Sequence, residues 1–101
     1  MSLRELLDTA ADDLDGVERV VSGESVEWRC GGRPFAAATD DAAEFRLDPL
    51  VAAAALRTPD TTASPARGAD WVRFAPATLD DPAMDRAEAW LASGWRRAAK
   101  A

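Results

Sequence analysis

Val26-Glu27-Trp28-Arg29-Cys30-Gly31-Gly32-Arg33-Pro34-Phe35-Ala36-Ala37-Ala38 is the stretch that decides the fold. Two alternating runs flank a glycine pair, and Gly-Gly between such runs is a strong signal for a two-residue β-hairpin turn. A turn of that length sets Cys30 opposite Arg33, Arg29 opposite Pro34, and Trp28 opposite Phe35 on one face of a sheet. That face is the expected core.

Working outward, Ser22-Gly23-Glu24 turns the chain back from a strand at Val17 to Val21, so three antiparallel strands follow one another. Ahead of them Leu3, Leu6, Leu7, Ala10 and Leu14 repeat at helical spacing. Ser2 and Glu5 supply a capping box for this helix, while Asp12, Asp13 and Asp15 sit at its negative end and predict a frayed last turn before Gly16. Glu44-Phe45-Arg46-Leu47 alternates as a fourth strand, and Asp48-Pro49 opens a short alanine-rich helix, Leu50 to Leu56. Asp60 to Gly68 has loop composition with a short extended piece at Thr61 to Ser64, and reads as the most mobile segment. Trp71-Val72-Arg73-Phe74 reads as the last strand. Asp81-Pro82 opens a closing helix to about Ala99 whose stripe Ala87, Leu91, Gly94 and Ala98 is flanked by Trp90 and Trp95. The expected architecture is α+β: a meandering antiparallel sheet of about five strands, an N-terminal helix, a short helix between the fourth and last strands, and a long C-terminal helix.

The chain has 101 residues, one domain's worth, and can bury roughly two thirds of its unfolded surface. With 48% hydrophobic and 30% charged residues it falls in the ordinary globular range. Eleven of the twelve basic residues are arginine, His and Tyr are absent, and the net charge is −6. An acidic balance of this size weakens broad attraction to phosphate backbones and anionic lipid but leaves local arginine patches possible. No apolar run reaches bilayer-spanning length and no export signal opens the chain, so a cytoplasmic location is expected, in keeping with the lone Cys30.

In order and spacing, these segments resemble the YjbR/MmcQ-like family of small α+β proteins. Trp28-Arg29-Cys30-Gly31-Gly32-Arg33-Pro34-Phe35-Ala36 is similar to that family's strand, glycine hairpin and "(K/R)xFA" return strand. Phe45-Arg46-Leu47-Asp48-Pro49 resembles its strand leading into a short helix, and Gly68-Ala69-Asp70-Trp71-Val72-Arg73-Phe74 its glycine loop and "WV" strand. The resemblance covers residues 1–101 as a single YjbR-like domain and implies an antiparallel sheet backed by helices, with a DNA-binding role proposed for the type. Members often carry His, Lys or Tyr in the loop before the "WV" strand, whereas this loop offers Arg67 beside Asp70.

Chemistry is constrained mostly by what is missing. Without His or Tyr there is no imidazole base near neutral pH and no phenolic acid, and Cys30 lacks an obvious partner base, so catalysis is not expected. Asp12 to Gly16 superficially fits a calcium loop, but aligning Gly16 with the loop glycine puts Ala11 and Ser22 at key ligand positions. Zinc ligands are too few, and no phosphate loop or dinucleotide fingerprint appears. No metal or cofactor is therefore expected. What remains is a non-enzymatic binding or interaction module. Its candidate site is a cleft of Trp71, Trp90 and Trp95 with Arg67, Arg73 or Arg97 at the mouth, suited to a small acidic ligand or a protein partner. The alternative is DNA, met by an outer sheet face carrying Arg29, Arg46 and Arg73 and extended by Arg33 and Arg67. Glu27 and Glu44 alternate into that same face and offset the arginines. A monomer and a homodimer are both open.

Overall fold

Both glycines of the central turn take left-handed backbone, Gly31 at φ 60° and Gly32 at φ 78° in the computed structural model. Positive φ at both positions is what a hairpin turn matched to the strand twist requires, and glycine adopts it without a Cβ clash. The structure describes residues 1–100. In chain order its elements are α1 (Leu3–Ala11), β1 (Val17–Ser22), β2 (Ser25–Cys30), β3 (Arg33–Ala38), β4 (Ala43–Arg46), α2 (Pro49–Ala55), β5 (Thr61–Ala63), β6 (Trp71–Phe74) and α3 (Asp81–Lys100). The architecture is α+β, as the sequence predicts.

The sheet is antiparallel throughout and has six strands in the order β1-β2-β3-β4-β6-β5, one more than the five expected. The additional strand is the extended piece within the Asp60 to Gly68 stretch, Thr61–Ala63, which pairs with β6 and forms the far edge. Because β6 slots between β4 and β5, the meander holds for four strands and then reverses.

Register departs from expectation at one place. Cys30 faces Arg33 and Arg29 faces Pro34, but Trp28 faces Ala36, not Phe35. A β-bulge between Trp28 and Arg29 leaves Phe35 as the extra residue, and the whole Phe35 to Ala38 run is buried. The cause lies in α3. A Cβ placed on Gly94 would meet the Phe35 carbonyl oxygen at 3.0 Å and that of Arg46 at 3.1 Å, so the helix rests directly on the backbone of β3 and β4. Phe35 turns its ring toward the helix at this contact.

Helix ends follow local chemistry. The Ser2–Glu5 capping box forms in both directions at 3.2 and 3.1 Å. Asp80 Oδ1 accepts the Ala83 backbone N–H at 3.0 Å at the start of α3. Helix α1 stops at Ala11, three residues before Leu14, where consecutive carboxylates oppose the helix dipole. Asp48 stands at the N-cap of α2 but makes no cap hydrogen bond, and its carboxylate lies 3.5 Å from Arg97 instead.

One apolar cluster joins the three helices to a single side of the sheet. Val26, Trp28, Ala36, Ala38, Ala43, Phe45, Val72 and Phe74 supply its floor, with Leu3, Leu7, Ala52, Ala87 and Leu91 among the helix residues above. Trp90 meets Phe74 edge-on at 5.2 Å between ring centres and Phe45 at 6.0 Å. Buried side chains of this size each contribute roughly 1.5–3 kcal/mol through area removed from water.

Candidate functional site on the bare face of the sheet

Alternation sends the other half of each strand to the side the helices leave uncovered. Two cross-strand rows result. Glu27, Ala37, Glu44, Arg73 and Thr62 follow one another from β2 to β5, and beside them run Arg29 and Pro34, then Arg46 and Trp71. Ala37 and Trp71 are buried, yet neither belongs to the helix-side cluster. The loop between β5 and β6 is what covers them.

That loop folds back over the sheet. Ser64 N–H donates to the Trp71 carbonyl at 3.0 Å, Trp71 N–H to Gly68 at 3.2 Å, and Leu47 N–H to Asp70 at 3.0 Å. Ser64 Oγ donates to Glu44 Oε2, and Arg67 Nε donates to Glu44 Oε1 at 2.8 Å. The stretch read as mobile is thus tied down by its own backbone and by Glu44. Above Trp71, the Arg67 guanidinium carbon stands 5.2 Å from the ring centre, a cation–π contact. Burial pushes the Glu44 carboxyl upward, but the Ser64 and Arg67 hydrogen bonds and the charges of Arg67 and Arg73 outweigh it, and the pKa lies below the ordinary 4.5.

Arg67 separates two hollows. One, about 130 Å³, is bounded by Ala37, Glu44 and Arg73. The larger, about 260 Å³, is lined by Pro34, Arg46, Arg67, Gly68, Ala69, Asp70 and Trp71. Arg97 Nη2 holds the Asp70 carboxylate at 2.9 Å. Among the described residues neither Arg46 nor Arg73 has an ion pair or a side-chain hydrogen bond, whereas Arg29 lies 3.2 Å from Glu27 on its own strand.

The residues expected to form a site divide between the two sides of the sheet. Arg67, Trp71 and Arg73 come together on the bare face with Arg29 and Arg46. Trp90 and Trp95 do not join them: Trp90 packs into the helix-side core, and Trp95 Nε1 donates to the Asp15 carbonyl at 2.8 Å. No three-tryptophan cleft forms, because β6 presents Trp71 on the opposite side from Val72 and Phe74, which α3 covers. Arg97 is engaged as well, its Nη1 donating to Leu47 O at 2.5 Å. Arg33 also leaves the proposed arginine face. Its Nε and Nη2 both donate to the Ala98 carbonyl, at 3.1 and 3.0 Å, in the last turn of α3. The bulge that carries Phe35 toward α3 belongs to the same contact region. Sequence reasoning missed Glu44 and Ser64 as the anchors of Arg67, and Pro34 and Gly68 as walls. The strict alternation of Glu44 with Phe45 was the available signal for the first of these.

Fold and surface together define a one-sided α+β sheet protein whose bare face carries a cluster of arginines around one tryptophan. No protein-family model matches the chain, and no curated protein matches it either. No helix is long and apolar enough to cross a membrane, and no group of three or more Cys, Asp or Glu side chains is placed to hold a metal ion among the described residues.

Proposed function

We propose that the protein is a non-catalytic binding module of YjbR-like type, acting in the cytoplasm, and that its ligand surface is the bare sheet face, where it takes a small acidic ligand or an acidic segment of a protein partner. The observation that carries this is the pair of unpartnered arginines, Arg46 and Arg73, on a face that no helix covers. A guanidinium whose N–H groups are not already engaged retains its capacity to fork onto an oxyanion. Catalysis gains no support from the same face, where the Glu44 carboxylate is already engaged by two donors.

Nucleic acid is the second reading, favoured by Arg29, Arg46 and Arg73 sharing this face. Glu27 and Glu44 neutralise part of it, and a net charge of −6 opposes a polyanion. Amide shift mapping of the full chain against a panel of small organic acids, together with a gel shift against a short duplex at low salt, separates the two. Perturbation by acids centred on residues 44–46 and 67–73 supports the ligand reading. Retardation by micromolar duplex with no response to acids replaces it with the second, and a bare face silent to both removes the two together.

A further inference from the structure

The larger hollow has hydrogen-bond donors on two sides, and its one carboxylate, Asp70, is held through Oδ2 by Arg97. Arg46, half-buried on β4 and without an ion pair or side-chain hydrogen bond among the described residues, is part of its lining. Trp71, directly across the strand pair from Arg46, has an indole N–H with no hydrogen-bond partner among the described residues. That edge of the ring stays open because residue 68 is glycine: a Cβ there would stand 3.4 Å from Trp71 Cδ1 and 3.9 Å from Nε1. Gly68 sits at φ 141°, backbone that side-chain-bearing residues rarely adopt, so the loop keeps glycine at the one point where a side chain would cover the donor.

Charge decides what kind of anion fits. Arg67 pairs with Glu44, and Arg97 is shared between Asp70 and Asp48, so among the described residues Arg46 is the one cation lining the hollow that has no ion pair. A monoanion balances it, whereas a doubly charged phosphate would face the Asp70 carboxylate with one charge unmatched, a mismatch that disfavours the wrong ligand. The volume, about 260 Å³, lies just below the usual range of small-molecule sites. Pro34 and the rim of the Trp71 ring offer apolar wall beside the two donors.

We infer that the hollow bounded by Pro34, Arg46, Gly68 and Trp71 is a site for a small monocarboxylate, its oxygens accepting hydrogen bonds from the Arg46 guanidinium and the Trp71 indole N–H while its apolar body lies along Pro34. This rests on the reading of the bare face as a ligand surface and names the ligand's chemistry there.

The test follows the Arg46 Nε–H and Trp71 indole N–H resonances of the full chain during titration with benzoate, with the neutral isostere benzamide, and with inorganic phosphate. Benzoate is expected to shift both signals saturably and benzamide to leave them in place. Arg46→Gln is expected to weaken benzoate at least tenfold, and Trp71→Phe, which removes one donor and keeps the ring, by about three- to tenfold. Arg46→Lys, which keeps the charge and loses the fork, should fall between wild type and Arg46→Gln and stands in if the glutamine variant does not fold. Equal response to benzamide, or benzoate affinity indifferent to Arg46, overturns the inference. Phosphate binding more tightly than benzoate at these two groups, or small acids acting only around Arg73, also overturns it while leaving the bare face a ligand surface. Silence of the whole face to every anion ends both.

Discussion

Gly94 carries more of the fold than its size suggests. Its missing Cβ lets α3 settle on the carbonyl oxygens of Phe35 and Arg46, backbone atoms of β3 and β4 that cannot swing aside as a side chain can. Alanine improves helix propensity by about 1 kcal/mol, but overpacking against groups that cannot swing aside costs typically 1–3 kcal/mol. Gly94→Ala is therefore expected to destabilise by about 1–2 kcal/mol in denaturant melts, and a gain in stability would show that the helix lifts away freely. Glu44 is the corresponding residue on the bare face. Its pKa lies below 4.5 because Ser64, Arg67 and Arg73 stabilise the carboxylate more than burial penalises it. A depressed carboxyl contributes stability that is fully present above the unfolded value near 4.5 and is lost as pH falls through the lower folded value. The stability gap between wild type and Glu44→Gln is accordingly expected to be widest at neutral pH and to close below pH 4.5. A gap that stays constant across that window contradicts the assignment.

Among elements, α3 shows what local chemistry can and cannot announce. Asp80 at its start and the small stripe through Ala87, Leu91, Gly94 and Ala98 are readable from spacing alone, and the structure buries all four stripe residues. Its C-terminal end is held by a residue 65 positions away: Arg33 forks onto the Ala98 carbonyl, one of the acceptors a helix leaves unpaired. Arg33→Met keeps the aliphatic stem and removes the donors, so amide exchange in residues 98–100 is expected to accelerate, at a stability loss of about 1 kcal/mol. Unchanged exchange there would make the contact incidental. The hairpin itself was legible because Gly31 and Gly32 act within two residues of each other. The bulge at Phe35 was not, because it answers to α3 from the far end of the chain. Likewise the extended piece at residues 61–64 was legible, but not that it would join the sheet, because its pairing with β6 depends on a neighbour that lies later in sequence and inserts beside β4. The arginines of the bare face were legible by alternation, but the division of the tryptophans between the two sides depended on which face of β6 the long helix would cover.

At the scale of the molecule, the sheet separates two tasks. One face, with Trp28, Phe45 and Phe74 fully buried under the helices, holds the apolar contacts on which folding depends. On the other, Arg73 is exposed, and among the described residues neither Arg73 nor Arg46 makes an ion pair or side-chain hydrogen bond whose loss would strand a partner. A domain of this length has a net stability of about 5–15 kcal/mol, so a few kilocalories on the first face are decisive, while the unengaged arginines of the second are nearly free to vary. Arg46→Gln and Arg73→Gln are each expected to change unfolding free energy by no more than about 0.5 kcal/mol. Trp28→Ala, at a position 1% exposed, is expected to lose about 3–5 kcal/mol and to approach global unfolding. Side-by-side chemical melts of the three variants check both halves at once. If either glutamine variant melted as early as the Trp28 variant, its arginine would be part of the structural framework and the bare face would not be a surface held in reserve for a ligand. If Trp28→Ala melted with the wild type, the helices would not depend on the floor that this ring provides, and the partition between a folding face and a binding face would dissolve.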